Sequence, residues 1–414
     1  MSVEDTGSAV ELTGCHFADM TSHAVAVERG AHARLADCAF EGIGGSGWTA
    51  VVAVTSGASV DMANCRLSSL RAEGLLGRGG ARLRIVDCEF DHVESGWAAV
   101  TLDDSGTRAE LSGCRFTAIT GQGVIADNGA TAALVDSTLD VEGPDPAVAA
   151  DGPGSDVALI RCRIVTAAFA AAAVSGGAQL TLADSLLDTP LGSGLLHTNV
   201  DLDHDGSQLK VTGECGFRGA AATVTAGVDV GAIAAGATVK VSAAIPNPCP
   251  HCNGTGAPPG TALRACEHCA VDPVGSQSCP QCRGTRFVGV GCCAGCDGRG
   301  ERNALRSIEI EIPDGAALGD TLVAPGRGGA GLGAGPAGDL RVVLDRPQLG
   351  PYRSVEEFVE KKLGIGIARE TTEPMPRRPL DAAARQALDD AVRREAIRLG
   401  YLTAGEAEGV IREG

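Results

Sequence analysis

The chain has 414 residues, enough for two or three domains, and a formal net charge of −18. Nucleic acids and anionic membranes both require a basic protein face, so this charge argues against either as a partner. No apolar run approaches the roughly 18 residues of a membrane span, and residues 1–5 do not resemble a secretion signal, so we expect a cytoplasmic protein.

The first half of the chain contains a repeat of the form Leu-x-x-Cys-x-Phe, which recurs about every 25 residues. Short alternating runs between Gly, Ser, Asp and Asn leave room for two or three strands per unit and for no helix. This pattern predicts a solenoid, and residues 1–218 resemble the right-handed parallel β-helix of the pectate-lyase-like group. The repeat units begin at Leu12, Leu35, Met62, Ile85, Leu111, Leu134, Leu159 and Leu182.

Most repeat units carry a cysteine at the same position. In a β-helix, neighbouring coils are about 4.8 Å apart, so these cysteines come within reach of disulfide bonding or of a shared metal. Serine takes the position in two units, and buried thiols behave as small apolar side chains, so we favour a structural role. The repeat cysteines are Cys15, Cys38, Cys65, Cys88, Cys114 and Cys162.

The residue before the cysteine is often acidic or an amide. A row of carboxylates is typical of carbohydrate-active β-helix enzymes, whereas Asp and Asn also favour tight turns. With only two Trp and two Tyr to stack on sugars, we favour turns and keep an enzyme or lectin as the alternative function. Residues 201–206 open like a calcium loop but lack its final Glu, which predicts a solvated turn. The row comprises Asp37, Asn64, Asp87, Asp136 and Asp184.

Residues 249–300 hold nine of the sixteen cysteines, and eight of these form four C-x-x-C pairs. Four thiolates around one ion make a closed tetrahedral zinc site, so the eight predict two Zn²⁺ ions. Such sites are structural because no coordination position is left for a substrate or water. The pairs are Cys249/Cys252, Cys266/Cys269, Cys279/Cys282 and Cys293/Cys296.

The first and last pairs read C-x-x-C-x-G-x-G, and the four pairs in tandem resemble the cysteine-rich region of DnaJ-type co-chaperones. The resemblance covers residues 236–347 and implies that the first and last pairs share one zinc while the middle pairs share the other. The middle pairs lack most of the motif glycines, so we expect the outer site to be sound and the inner site to be geometrically altered. Spacing favours Cys293 over Cys292 as a ligand, and His251 and His268 are expected to be exposed turn residues.

Residues 308–315 and 335–340 look like the first β-domain that follows the zinc region in that family. There, an exposed groove accepts client segments by strand addition. The residues expected to build the sheet of this client-binding region are Ile308, Ile310, Ile312, Leu340 and Val342. The sequence contains no His-Pro-Asp tripeptide, so the ATPase-stimulating J-domain of the family is not expected.

Residues 348–414 carry helical patterns and two capping boxes, Ser354/Glu357 and Thr403/Glu406. We therefore expect a mainly β protein with three parts. These are a β-helix over 1–218, a DnaJ-like β-domain over 219–347 with the zinc region 249–300 inserted, and a helical tail over 348–414. The predicted function is a non-enzymatic zinc-binding scaffold for a protein client or a dedicated protein partner, with a seventy-kilodalton heat-shock chaperone as the candidate ATPase.

Overall fold

The fold is described from a computed structural model of the chain. The structure describes residues 1–45, 49–168, 170–189, 199–219, 222–227, 238–271, 279–313, 316–317, 319–333 and 335–345. All of them fall in the first of two compact units, Met1–Pro347. The second unit, Gln348–Gly414, which contains the predicted helical tail, lies outside the described residues.

Three long sheets run along the first 217 residues, and in each of them every strand pairs in parallel with the equivalent strand of the next coil. Sheet A contains β1 (Ser2–Val3), β4 (Val25–Val27), β7 (Ala50–Val54), β10 (Glu73–Gly77), β13 (Ala98–Leu102), β16 (Gln122–Asp127), β19 (Val148–Asp151), β22 (Ala172–Val174) and β25 (Val200–Leu202). Sheet B contains β2 (Ala9–Thr13), β5 (His32–Ala36), β8 (Ser59–Ala63), β11 (Arg82–Val86), β14 (Arg108–Ser112), β17 (Thr131–Val135), β20 (Asp156–Ile160), β23 (Gln179–Ala183) and β26 (Gln208–Thr212).

Sheet C completes each coil. It contains β3 (His16–Ala18), β6 (Ala39–Glu41), β9 (Arg66–Leu70), β12 (Glu89–Val93), β15 (Arg115–Ile119), β18 (Thr138–Val141), β21 (Arg163–Thr166), β24 (Leu186–Asp188) and β27 (Gly216–Phe217). The predicted parallel β-helix is therefore confirmed, with one strand of each sheet per repeat unit.

The repeat motif builds the interior because identical positions of adjacent coils pair in register. Phe90 of β12 pairs with Phe116 of β15, and their rings stack with centroids 4.5 Å apart and an interplanar angle of 1°. Phe17 and Phe40 stack in the same way at 5.0 Å. The leucine of the motif forms a second internal ladder, in which Leu12 pairs with Leu35. One continuous apolar core thus runs down the solenoid.

The residues before the repeat cysteines occupy a sharp corner between sheets B and C. Asp37, Asn64, Asp87, Asp136 and Asp184 all have φ between 49° and 54°. This left-handed region is strained for most residues but accessible to Asp, Asn and Gly. Gly14 and Gly113 occupy the same corner of other coils, again with positive φ. Backbone geometry therefore accounts for the Asp and Asn row.

The repeat cysteines are free thiols that point into the solenoid and hydrogen-bond to its backbone. The Cys162 thiol donates to the carbonyl of Leu134 in the preceding coil at 3.3 Å, and the Cys162 amide donates to the Ser185 hydroxyl at 3.0 Å. Ser185 in turn donates to the carbonyl of Leu159 at 3.2 Å. Cysteine and serine are interchangeable here because both are small side chains that carry a donor and an acceptor.

The calcium-like segment begins at the end of β25, and the predicted turn is the bend at residues 204–206. One carboxylate oxygen of Asp205 accepts a hydrogen bond from the amide of Gly176 in the preceding coil at 2.5 Å, and the other accepts one from the Ser207 hydroxyl at 2.6 Å. These bonds lower the pKa of Asp205, the Ser207 hydroxyl contributing most. The carboxylate therefore ties two coils together, as expected for a turn residue.

After the solenoid, the chain forms a small two-layer β-domain. One layer is a three-stranded sheet of β28 (Ala222–Gly227), β34 (Leu340–Asp345) and β33 (Thr321–Ala324), with β33 at one edge. The other is a long antiparallel hairpin of β29 (Thr238–Pro248) and β32 (Glu301–Glu311), paired along its full length. A separate apolar core lies between the two layers. The zinc region is inserted between the two strands of the hairpin, as the family resemblance implies.

The zinc region also packs on the C-terminal end of the solenoid. It contains β30 (Ala262–Ala265), the short helix α1 (Glu267–Val271) and β31 (Phe287–Val288). β30 pairs antiparallel with β26 and so extends sheet B, and β31 pairs with β30. Within the part of the chain that the structure describes, no helix is long and apolar enough to cross a membrane.

Candidate metal centres

Eight cysteines of the zinc region converge in two groups. The outer cluster comprises Cys249, Cys252, Cys293 and Cys296, and the inner cluster comprises Cys266, Cys269, Cys279 and Cys282. In each cluster, all four sulfur atoms lie within 4.8 Å of one another, and every cysteine is no more than 7% exposed. The structure thus brings together the two sets that the family resemblance implies.

The outer cluster is built from two equivalent turns, and the motif glycines explain its geometry. Gly256 and Gly300, four residues after Cys252 and Cys296, have φ of 75° and 72°. Their amides donate to the sulfurs of Cys252 and Cys296 at 3.3 and 3.2 Å. A Cβ on Gly256 would lie 2.5 Å from the carbonyl oxygen of Gly298, so no larger residue fits. The C-x-x-C-x-G-x-G pattern therefore supplies both a tight turn and an N–H···S bond.

The two outer turns are also bonded to each other. The amide of Cys249 donates to the carbonyl of Gly300 at 2.7 Å, and the amide of Cys293 donates to the carbonyl of Gly256 at 2.8 Å. This reciprocal pairing holds the four sulfurs together independently of any apolar core. The cluster is therefore preorganised by its own backbone.

The inner cluster also brings its four sulfurs within 4.8 Å of one another, with Cys269 and Cys282 at 3.4 Å, but on a different backbone. Cys269 lies on helix α1, where the motif glycines are missing. In the other inner turn, Arg286 occupies the fourth position after Cys282 with φ of 62°, a conformation that glycine adopts without strain. The expected difference between the two sites thus lies in the backbone, while the four sulfurs still converge.

The sulfur distances suit a tetrahedral ion. Cys252 and Cys296 sulfurs are 3.8 Å apart in the outer cluster, and Cys266 and Cys279 sulfurs are 3.8 Å apart in the inner cluster. A zinc–sulfur bond of about 2.3 Å gives tetrahedron edges of about 3.8 Å. A set of four thiolates is the donor chemistry that zinc prefers, so both clusters fit this ion.

Ionisation of the buried thiols requires a positive counter-charge. Burial raises the pKa of Cys252 and of Cys269, because a thiolate enclosed without a counter-charge is unfavourable. Cys279 differs, since hydrogen bonds, first from the backbone of Cys282, lower its pKa to about 6. A divalent ion would displace the remaining protons and neutralise the clustered sulfurs, so metal affinity should rise with pH.

Residues near the clusters behave as the spacing predicts. Cys293 belongs to the outer cluster, whereas Cys292 is exposed and belongs to neither. His251 is an exposed turn residue as expected, whereas His268 is exposed but lies on helix α1 and not in a turn. The four cysteines of each cluster therefore form the donor set without histidine.

The residues predicted to build the client-binding sheet lie in the core of the β-domain. Ile308, Ile310, Ile312, Leu340 and Val342 are each no more than 9% exposed and pack between the two layers. Their role in client binding stays a prediction. Because these side chains are buried, they would act by shaping the sheet and not by touching the client. On the surface, Val323 of edge strand β33 has 56% of its surface exposed, a feature that the sequence pattern did not single out.

The fold and the clusters define a parallel β-helix joined to a small β-domain that carries two tetracysteine centres. Residues 2–195 match the family model described as the right-handed β-helix region, which agrees with the coil stacking seen here. The C-terminal region, which carries the two cysteine clusters, is similar to DnaJ chaperones.

Among the DnaJ relatives, "Chaperone protein DnaJ 2" of Nocardia farcinica is 35% identical over 120 residues, which are 27% of this chain and 31% of the relative. "Chaperone protein DnaJ" of Prochlorococcus marinus is 38% identical over 117 residues, 24% of this chain and 31% of the relative. "Chaperone protein DnaJ" of Maridesulfovibrio salexigens is 32% identical over 120 residues, which are 27% of this chain and 32% of the relative. The chain therefore spans about a third of the length of the curated relatives it matches.

Proposed function

We propose that this protein is a non-enzymatic, zinc-stapled scaffold that binds extended apolar segments of other proteins. The observation that carries the proposal is the pair of closed tetracysteine clusters, inserted in the hairpin of a β-domain that is similar to DnaJ chaperones. Closed sites hold a fold and leave no position for catalysis. The reduced cysteines fit a cytoplasmic location.

The candidate binding edge is β33. Among the described residues it pairs with β34 alone, and its outward Val323 lies opposite the exposed Arg341. Leu322 and Ala324 face the core on the other side of the strand. An extended segment could add to the free edge through backbone hydrogen bonds and place an apolar side chain against Val323.

The test is binding of an unfolded model protein to the zinc-loaded chain, followed by suppression of its aggregation. Val323→Lys should weaken both, because a charged side chain at a strand edge opposes strand addition. Val290→Lys is the matched control, since Val290 is an exposed valine of the zinc region with 87% of its surface accessible. Equal binding by the two variants would contradict the assignment of β33, and no suppression by the unmodified protein would refute the function.

The proposal extends to a partner. A DnaJ-like client module works beside an ATPase in the family that it resembles, so a seventy-kilodalton heat-shock chaperone is the partner to test. Added ATPase and ATP should then release a client that stays bound to this chain alone. If release does not depend on the chaperone, the partnership is refuted while client binding itself is left standing.

A further inference from the structure

The C-terminal end of the solenoid presents the problem shared by all stacked repeats. The last coil would expose an unpaired strand edge and the end of the apolar interior, and repeat proteins cover such ends with a cap. Here β30 of the zinc region covers the edge of β26, with Leu209 opposite Leu263 and Lys210 opposite Ala262. The cap is thus a segment distant in sequence.

Side chains of the zinc region close the interior. Leu263 and Phe287, on β30 and β31, are 1% and 5% exposed and belong to the same apolar core as Leu209 and Val211. The amide of Gly260 donates to the carbonyl of Val211 at 3.2 Å. The zinc region therefore gives the last coil the strand partner and the apolar contacts that every other coil receives from the coil after it.

The inner cluster holds this cap in shape. β30 leads directly into Cys266, whose amide donates to the carbonyl of Arg286, just before β31, at 2.8 Å. The carbonyl of Cys266 accepts a hydrogen bond from His204 of the solenoid at 3.0 Å. The cluster thus joins the two cap strands to each other and contacts the coil beneath them.

We infer that the inner cluster is a metal-dependent clasp for the C-terminal cap of the β-helix. Metal bound by its four cysteines fixes the β30–β31 hairpin, and the hairpin seals the last coil. Without metal, β30 and β31 lose the link between their ends, and the seal on β26 opens. The outer cluster contributes less, because among the described residues its turns contact the last coil through a side-chain hydrogen bond, from Asn253 to the carbonyl of Gly213 at 2.8 Å, and not through a paired strand. This inference requires metal binding and does not depend on client binding.

Hydrogen exchange of the purified full chain tests the inference, because loss of metal from the inner cluster should affect the last coil and not the first coils. In Cys279→Ser/Cys282→Ser, amides of β26 should exchange about tenfold faster or more, while those of β5 stay unchanged, because repeats contact only their neighbours. Cys292→Ser, which removes an exposed thiol outside both clusters, is the control, and native mass spectrometry gives the zinc count of each variant. Equal β26 exchange in the two variants would overturn the inference.

A second variant covers the case in which loss of the inner cysteines unfolds every coil. Leu263→Ala keeps all cysteines but removes apolar contacts between β30 and the last coil of the solenoid. By reciprocity, it should release one zinc at about tenfold lower chelator concentration than Val290→Ala, an exposed control. If the two variants release zinc at the same chelator concentration, the clasp does not exist.

Discussion

Truncation of a ladder phenylalanine is the most informative perturbation of the solenoid. Phe90 is fully buried, its ring stacks on Phe116 at 4.5 Å, and it packs against the backbone of Gly74, where an added Cβ would lie 3.1 Å from the ring. The glycine has no side chain that could fill the space left by the ring. Phe90→Ala should therefore cost about 3–5 kcal/mol, the range for phenylalanine truncations in rigid cores.

The matched control is Phe17→Ala in the first coil. Phe17 stacks on Phe40 in the same way but is only partly buried, so its truncation should cost about 1–2 kcal/mol. Urea unfolding followed by circular dichroism gives both free energies, and hydrogen exchange reports which coils open first, since long repeat arrays can depart from two-state behaviour. Equal losses in the two variants, or a loss below about 1 kcal/mol for Phe90→Ala, would refute the continuous core.

Two further predictions follow from single residues. Asp87 has φ of 52°, so Asp87→Gly or Asp87→Asn should change the free energy of unfolding by no more than about 0.5 kcal/mol. Asp87→Val should cost about 1–2 kcal/mol, measured by thermal unfolding. Equal losses for all three variants would mean that the carboxylate matters more than the backbone conformation. Glu73 has a buried oxygen without a hydrogen-bond partner among the described residues, and burial raises its pKa to about 7 against the opposing effects of Thr101 and Arg78. Its protonated form stabilises the fold below pH 4.5, and this contribution, on the order of 2 kcal/mol, is lost as the pH rises to about 7. Glu73→Gln should make the free energy of unfolding, measured by urea titration, less dependent on pH between 4.5 and about 7. An unchanged pH dependence would contradict the assignment of this effect to Glu73.

Local patterns in the sequence predict much of the architecture. The motif that starts at Leu12 and returns at Leu35 fixes both the coil length and the side chains that point inward, because equivalent positions must stack in register. The C-x-x-C pairs predict the metal clusters equally well, since each pair brings its own two sulfurs onto one turn. In both cases the information lies within a few residues of the site.

The remaining features depend on contacts between distant segments. Nothing in the sequence around Leu263 indicates that it seals the coil that contains Leu209, because a short apolar strand can pair with many edges. The alternation of Ile308, Ile310 and Ile312 predicts a strand with one apolar face, but not that a second sheet covers this face. The left-handed corners appear in the sequence as a mixture of Asp, Asn and Gly, with Arg161 in one coil, and this mixture also suits an acidic binding row.

The zinc content of the purified chain is the most direct test of the account. Native mass spectrometry should find two zinc ions per chain, and one in Cys279→Ser/Cys282→Ser, because the outer cluster is held by its own backbone bonds. Cys292→Ser should retain both ions, since Cys292 belongs to neither cluster. A chain purified without tightly bound metal, or one that binds the same amount after all eight clustered cysteines are replaced, would contradict the account.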